Sequence, residues 1–174
     1  GGGQPEPVGA RCFVAVRPPG GLVAQLRRMD RPDRPGLRWT PEDQWHITLK
    51  FFAAVDPDAL VAALDSAWAG PPGFPPTEAV AGPAPEALAR RVWMVPVDGL
   101  DPLAGAVERA TAGLGPPAGR FRGGLTLARA RRPPALRGLP RPGLSAEWRV
   151  AELVAVHSEL GSHRARHHVL RSWP

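Results

Sequence analysis

The chain has 174 residues and a mass of 18.5 kDa, enough apolar sequence for one core, and no apolar run approaching the ~20 residues that a membrane-spanning helix needs. Its net charge of +6 suits a polyanionic partner, yet the excess is nearly all arginine, with Lys50 the only lysine, and composition alone can produce that in a chain rich in Ala, Gly, Pro and Arg. The single cysteine, Cys12, excludes an intrachain disulfide and a cysteine-based zinc site, so a reducing, cytoplasmic setting is expected.

Residues 1–9 are Gly/Pro-rich, without the basic and apolar regions of a signal peptide or anchor. Residues 1–10 are expected to form a disordered tail and 11–174 a single domain. The first strand is predicted at Arg11-Cys12-Phe13-Val14-Ala15-Val16, stopped by Pro18-Pro19-Gly20. A helix follows over Gly21 to Met29, where Leu22, Val23, Leu26 and Met29 recur at helical spacing. Leu37-Arg38-Trp39 reads as a short extended piece. In Thr40-Pro41-Glu42-Asp43, Thr40 is placed to cap a single turn with Pro41 at its first position.

That turn delivers the chain to Trp45-His46-Ile47-Thr48-Leu49-Lys50-Phe51-Phe52, an alternating run that predicts a strand. Strict alternation puts His46, Thr48 and Lys50 on one face and Ile47, Leu49 and Phe51 on the other. An imidazole beside a hydroxyl supplies a proton carrier and a hydrogen-bond donor for an anionic oxygen, which suits phosphate chemistry. Taken alone, His-x-Thr is more often an incidental pair on a half-buried edge strand.

Asp56-Pro57 opens a second helix with an apolar stripe at Leu60, Val61, Leu64 and Trp68. Residues 74 to 89 are extended and ill-defined. Arg91 to Val97 is a clearer strand whose Pro96 favours an edge position. Asp101-Pro102 opens a helix through Leu114, and Phe121 to Arg129 repeats the earlier rhythm, with Leu125 and Leu127 on one face and Thr126 on the other. Thr48 and Thr126 are 126 − 48 = 78 residues apart, each following a strand and a helix, so two similar halves would set them opposite each other. Ala130 to Ser145, with four prolines and four arginines, is expected to be a mobile, solvated loop. One strand over Trp148 to His157 and a closing strand at His167 to Leu170 complete an α+β fold of mostly antiparallel strands.

Several ordered pieces carry a resemblance: Cys12-Phe13-Val14-Ala15-Val16, Arg38-Trp39-Thr40-Pro41-Glu42, His46-Ile47-Thr48-Leu49-Lys50-Phe51, Leu125-Thr126-Leu127-Ala128-Arg129 and Ser158-Glu159-Leu160-Gly161. Together they are similar to the two-histidine phosphoesterase superfamily, specifically the RNA 2′,3′-cyclic phosphodiesterases, also called 2′-5′ RNA ligases, of the LigT or ThpR type. The resemblance implies two pseudo-symmetric lobes around a cleft, each contributing one His-x-Thr strand. It also implies opening of a 2′,3′-cyclic phosphate to a 2′-phosphate without a metal or other cofactor. His46 then falls in the role of proton donor to the leaving oxygen. Gly124 stands where the family's second histidine, the base, is expected, and Gly123 where proline is usual.

Thr48 and Thr126 are the implied phosphate-binding hydroxyls, with Arg122 and Arg129 as further substrate contacts. The implied partners are RNA ends or nucleotides bearing a cyclic phosphate, met by a monomer away from membranes. Positioned acid or base catalysis contributes about 10²–10⁴-fold, so a missing base cripples turnover without abolishing binding. Three explanations for Gly124 stay open: a weakened enzyme in which water or His157 stands in, a pseudoenzyme that binds RNA ends, or an accidental or deliberate replacement. His157 is more often a packed core histidine. His163 and His167, four apart, are poor candidates for a zinc pair, because helical spacing does not apply on a turn and strand.

Overall fold

The computed structural model describes residues 9–162 and 164–174. The expected tail lies outside the described residues as far as residue 8, and Ala10 already opens a strand. The first part of the chain forms β1 (Ala10–Val16), α1 (Gly20–Arg27), β2 (Leu37–Trp39), β3 (Ile47–Val55) and α2 (Pro57–Trp68). The remainder forms β4 (Glu78–Ala81), β5 (Glu86–Leu88), β6 (Val92–Asp98), α3 (Asp101–Ala110), β7 (Gly124–Ala130), β8 (Ala146–Arg149), β9 (Leu153–Glu159) and β10 (Arg166–Trp173). The fold is α+β, as read from the sequence: the strands run in the order β10-β9-β1-β3-β7-β6-β4-β8, with β2 paired to β7 and β5 to β6, and neighbours are antiparallel.

The central strands of the two halves of this curled sheet, β3 and β7, pair at one position, Ile47 with Leu125, while β2 crosses over to pair with β7. These residues are 125 − 47 = 78 apart, the offset that relates Thr48 to Thr126. The β1-α1-β3 and β6-α3-β7 units are therefore counterparts about an approximate two-fold through that pair. Beyond it β3 and β7 diverge, and the space they leave is the cleft. The opposite face of the sheet is closed by the helices, with Val14, Leu22, Leu26, Leu60, Leu64, Leu103, Val107 and Leu153 fully buried. Burying such side chains contributes roughly 1.5–3 kcal/mol each before chain entropy is subtracted.

Local sequence explains most boundaries. Asp56 caps α2 by accepting the Asp58 N–H at 3.0 Å, with Pro57 at the first helical position. Thr40 does not cap its turn. Its N–H instead donates to the Leu127 carbonyl at 2.8 Å, extending the β2–β7 pairing, and the 3₁₀ turn begins at Glu42. Pro96 lies in a central strand rather than at an edge. Its carbonyl accepts the Gly82 N–H at 3.0 Å, so its nitrogen faces the break between β4 and β5, where no ladder donor is required.

Two late expectations also change. The run read as one strand over 148–157 is two, β8 on β4 and β9 on β1, because Val150 and the residues after it carry the chain from one half to the other. The 130–145 segment is not simply solvated: a 3₁₀ turn at Pro133–Leu136 forms, and Leu136, Leu139 and Leu144 are buried.

Candidate active site

Two bulges decide which side chains meet in the cleft. On β3, Val14 pairs with Lys50 but Ala15 with Thr48, leaving Leu49 as an extra residue. On β7, Trp93 pairs with Ala128 but Met94 with Thr126, leaving Leu127 extra. The two extra residues are again 127 − 49 = 78 apart. An extra residue reverses the alternation of faces, so Thr48 and Thr126 face the cleft before each bulge, and Phe51 and Arg129 face it afterwards. Lys50, expected beside His46 and Thr48, turns to the helix face, where its ammonium meets Glu108 at 2.9 Å and the Thr111 hydroxyl at 3.1 Å. Phe51, expected in the core, is half exposed at the cleft.

The cleft has a volume of about 710 Å³, and His46, Thr48, Arg122, Gly124, Thr126 and Arg129 all line it. His46 sits between the 3₁₀ turn and β3, stacked on Phe13 with centroids 4.4 Å apart and planes within 12°. Its Nδ1 is 2.7 Å from the Gln44 carbonyl and its Nε2 is 2.9 Å from the Thr48 hydroxyl. A carbonyl can only accept, so Nδ1 carries the proton in the neutral ring and the Thr48 hydroxyl donates to Nε2. Burial pushes the imidazolium down to about 4; the Gln44 carbonyl opposes this, and the His167 and Arg129 charges add to it. At neutral pH the ring is therefore uncharged, with its lone pair turned toward Thr48.

Position 124 has been filled from the neighbouring strand. A Cβ added to Gly124 would fall 2.2 Å from Met94 Cε and 2.8 Å from its Sδ. At Gly123 an added Cβ would fall 2.1 Å from the Val97 carbonyl oxygen, while the Val97 N–H donates to the Gly123 carbonyl at 3.1 Å. The glycine pair thus lets the start of β7 lie close against β6.

The cleft also holds residues that sequence reasoning did not select. Met94, Phe13, Gln44 and His167 line it, as do Arg11, Arg38 and Arg164. The guanidinium of Arg11 lies 5.1 Å from the Phe51 ring centroid, leaving an aromatic face at the rim. His157 belongs to the other face of β9 from Ser158, which lines the cleft, and pairs with Cys12 at the core side. It is not positioned to stand in for a base. Of the arginines around the second motif, Arg122 and Arg129 reach the cleft, whereas Arg141 donates to the Pro85 carbonyl at 3.0 Å. His163 lies outside the described residues.

Residues 14–78 match the family model described as LigT like phosphoesterase. No curated protein matches the chain. Among solved structures, Escherichia coli LigT complexed with 3′-AMP is 23% identical, covering 95% of this chain and 97% of that one, with a TM-score of 0.71. TT0787 of Thermus thermophilus is 23% identical over 94% and 96% of the two chains, with a TM-score of 0.73. A crystal structure named as a phosphoesterase is 25% identical over 95% and 97%, with a TM-score of 0.72. The chain thus shares its fold with these structures over nearly its whole length, and residues 14–78 are similar in sequence to the LigT-like phosphoesterases.

Proposed function

We propose that the protein hydrolyses the 2′,3′-cyclic phosphate of RNA ends or nucleotides to a 2′-phosphate, as a cytoplasmic monomer and without a metal, at a rate limited by the absence of a base at position 124. The observation that carries this reading is the convergence of His46, Thr48, Arg122, Thr126 and Arg129, drawn from both halves of the chain, on one cleft. Water attacks phosphorus and the P–O3′ bond breaks. The water's proton passes to solvent, where a residue at 124 would otherwise take it, and the 3′ oxygen takes a proton from His46. Thr48, Thr126 and the arginines stabilise the added charge on the pentacoordinate phosphorus.

His46 is neutral in the free protein, so it must gain a proton to act as the acid. A phosphate beside it favours the imidazolium, partly by offsetting the Arg129 charge that disfavours it. Phe51 and Arg11 offer a face on which a base can stack. The E. coli LigT complexes with 3′-AMP, ATP and NADP+ support a nucleotide as the ligand class.

Met94 favours a second reading. With its thioether in the space at 124, the same cleft serves a catalytically dead protein that binds RNA ends or nucleotides. The two are separated by incubating parent, His46→Ala, Gly124→His and Gly124→His/Met94→Ala proteins with a 2′,3′-cyclic nucleotide. Slow parent turnover, a loss of about 10²-fold or more in His46→Ala, and a gain in the double variant support the enzyme. An inactive parent that binds a 2′-nucleotide and gains nothing from the double variant supports the binder; a parent that neither turns over nor binds overturns both.

A further inference from the structure

His167 stands on β10 opposite Ser158 of β9, half buried, 121 residues along the chain from His46. Its ring meets the His46 ring edge-on with centroids 5.6 Å apart, and the Phe13 ring likewise at 5.1 Å. Phe13, Gln44, His46 and His167 together form the wall between the 710 Å³ cleft and a neighbouring, more apolar cavity of about 610 Å³. One residue links the two segments: the Gln44 carbonyl accepts from the His46 ring, and the Gln44 side-chain amide donates to the Ala165 carbonyl at 2.7 Å, two residues before His167. No mechanistic step above uses this second ring, although it is a hydrogen-bonding group held at the cleft wall.

We propose that His167 is a second phosphate-binding imidazole of the cleft, donating a ring N–H to the same anion that His46, Thr48 and Thr126 hold. The proposal rests on the phosphodiester reading above. Rings in edge contact leave no room for a phosphate between them, so the two imidazoles meet the anion from the same side. His167 therefore does not replace a base opposite the leaving oxygen; it supplies positive charge to a non-bridging oxygen. The groups around it set when it can do so. Burial disfavours its cation and lowers its proton affinity, Asp43 on the 3₁₀ turn opposes this, and His168 adds to it; His46 shares the wall, Arg17 lines the apolar cavity and Arg164 the cleft, and His168 is itself 3.2 Å from Glu159. A bound anion tips this balance toward the imidazolium, so the contribution of His167 to binding grows as pH falls.

Ring-nitrogen NMR of the full chain, titrated over pH with and without saturating 2′-AMP, tests this directly, with inorganic phosphate as a second probe. Parent, His167→Gln and His167→Phe proteins are compared; the Phe variant keeps an aromatic edge against Phe13 and His46 but has no donor. The His167 titration should move up by about one unit with ligand. Both variants should bind 2′-AMP about fivefold or more weakly near pH 6, and nearly as well as the parent above pH 8, where the parent's His167 ring carries no charge. If Thr48 and Thr126 resonances respond to 2′-AMP while His167 does not, or if His167→Phe binds as tightly as the parent near pH 6, the proposal fails and the phosphodiester reading stands. If neither threonine responds to either probe, both fall.

Discussion

His46 owes its chemistry to three neighbours: Phe13 covers its face, Gln44 orients Nδ1, and Thr48 engages Nε2. Burial costs the ring its ordinary proton affinity, although the Gln44 carbonyl opposes the loss. The unfolded chain protonates the residue near 6.5, whereas the folded chain resists down to about 4, so between those values the unfolded state binds more protons. Stability attributable to His46 is thus complete above pH 6.5 and is lost as pH falls toward 4, by up to about 3 kcal/mol. Urea unfolding at pH 7 and pH 4.5 should show a parent that weakens more than His46→Gln over the same interval; equal slopes would mean that the ring titrates normally. Other groups titrate in this range as well, and the comparison with the variant removes them. The Thr48 and His46 juxtaposition was legible in three letters, because residues two apart on an extended run share a face. His167 was not: its four-residue spacing from His163 drew attention to metal binding, while its actual neighbours, His46 and Phe13, are remote in sequence.

At the level of strands and helices, the bulges at Leu49 and Leu127 are what pure alternation misses. Lys50 reads as a site residue by parity and is instead nearly fully buried, joining β3 to α3 through Glu108 and Thr111. Its ammonium also lies over Phe52, with Nζ 4.9 Å from that ring centroid. The Thr111 hydroxyl donates to the Val107 carbonyl at 2.8 Å, so it keeps a partner if the ammonium is removed, and Glu108 is about one-third exposed and can return to water. Lys50→Met should therefore cost less than about 1 kcal/mol, since it keeps volume and strands no polar group. Lys50→Ala should cost about 2–4 kcal/mol through the cavity it opens, and Glu108→Ala about 3 kcal/mol by leaving an ammonium buried without its counter-charge. Denaturant midpoints for the three variants check the ranking; a Met variant as weak as the Ala variant would make the ion pair itself the stabilising contribution. Alternation also hid the division between β8 and β9, because an apolar run keeps its pattern when its partner strand changes. The helices were easier to read, since Asp56-Pro57 and Asp101-Pro102 mark their starts and apolar stripes their buried faces.

For the molecule as a whole, the repeated 78-residue offset is the deepest regularity. It relates the threonines, the bulged leucines and the pair on the two-fold, and it was visible in the sequence as a repeated strand-helix-strand plan. What symmetry does not supply is charge, which is uneven: Arg11, Arg38, Arg122, Arg129 and Arg164 all line the cleft of a chain with net charge +6. Five arginines are more than one phosphate needs, and under the proposed function that gives a way to measure how much of an RNA chain the cleft would hold. Each phosphate neutralised on a single strand releases counterions and contributes about −0.7 to the slope of log K against log salt. Raising salt from 50 to 200 mM, a fourfold change, should weaken a mononucleotide by roughly 3-fold and an RNA end engaging three phosphates by roughly 20-fold. Fluorescence anisotropy with a labelled 2′-phosphorylated oligonucleotide, competed by 2′-AMP at each salt concentration, gives both slopes in one series. A steeper slope for the oligonucleotide makes the arginine-lined cleft a track for the RNA chain; identical slopes confine recognition to the terminal phosphate and leave the outlying arginines without a role in binding.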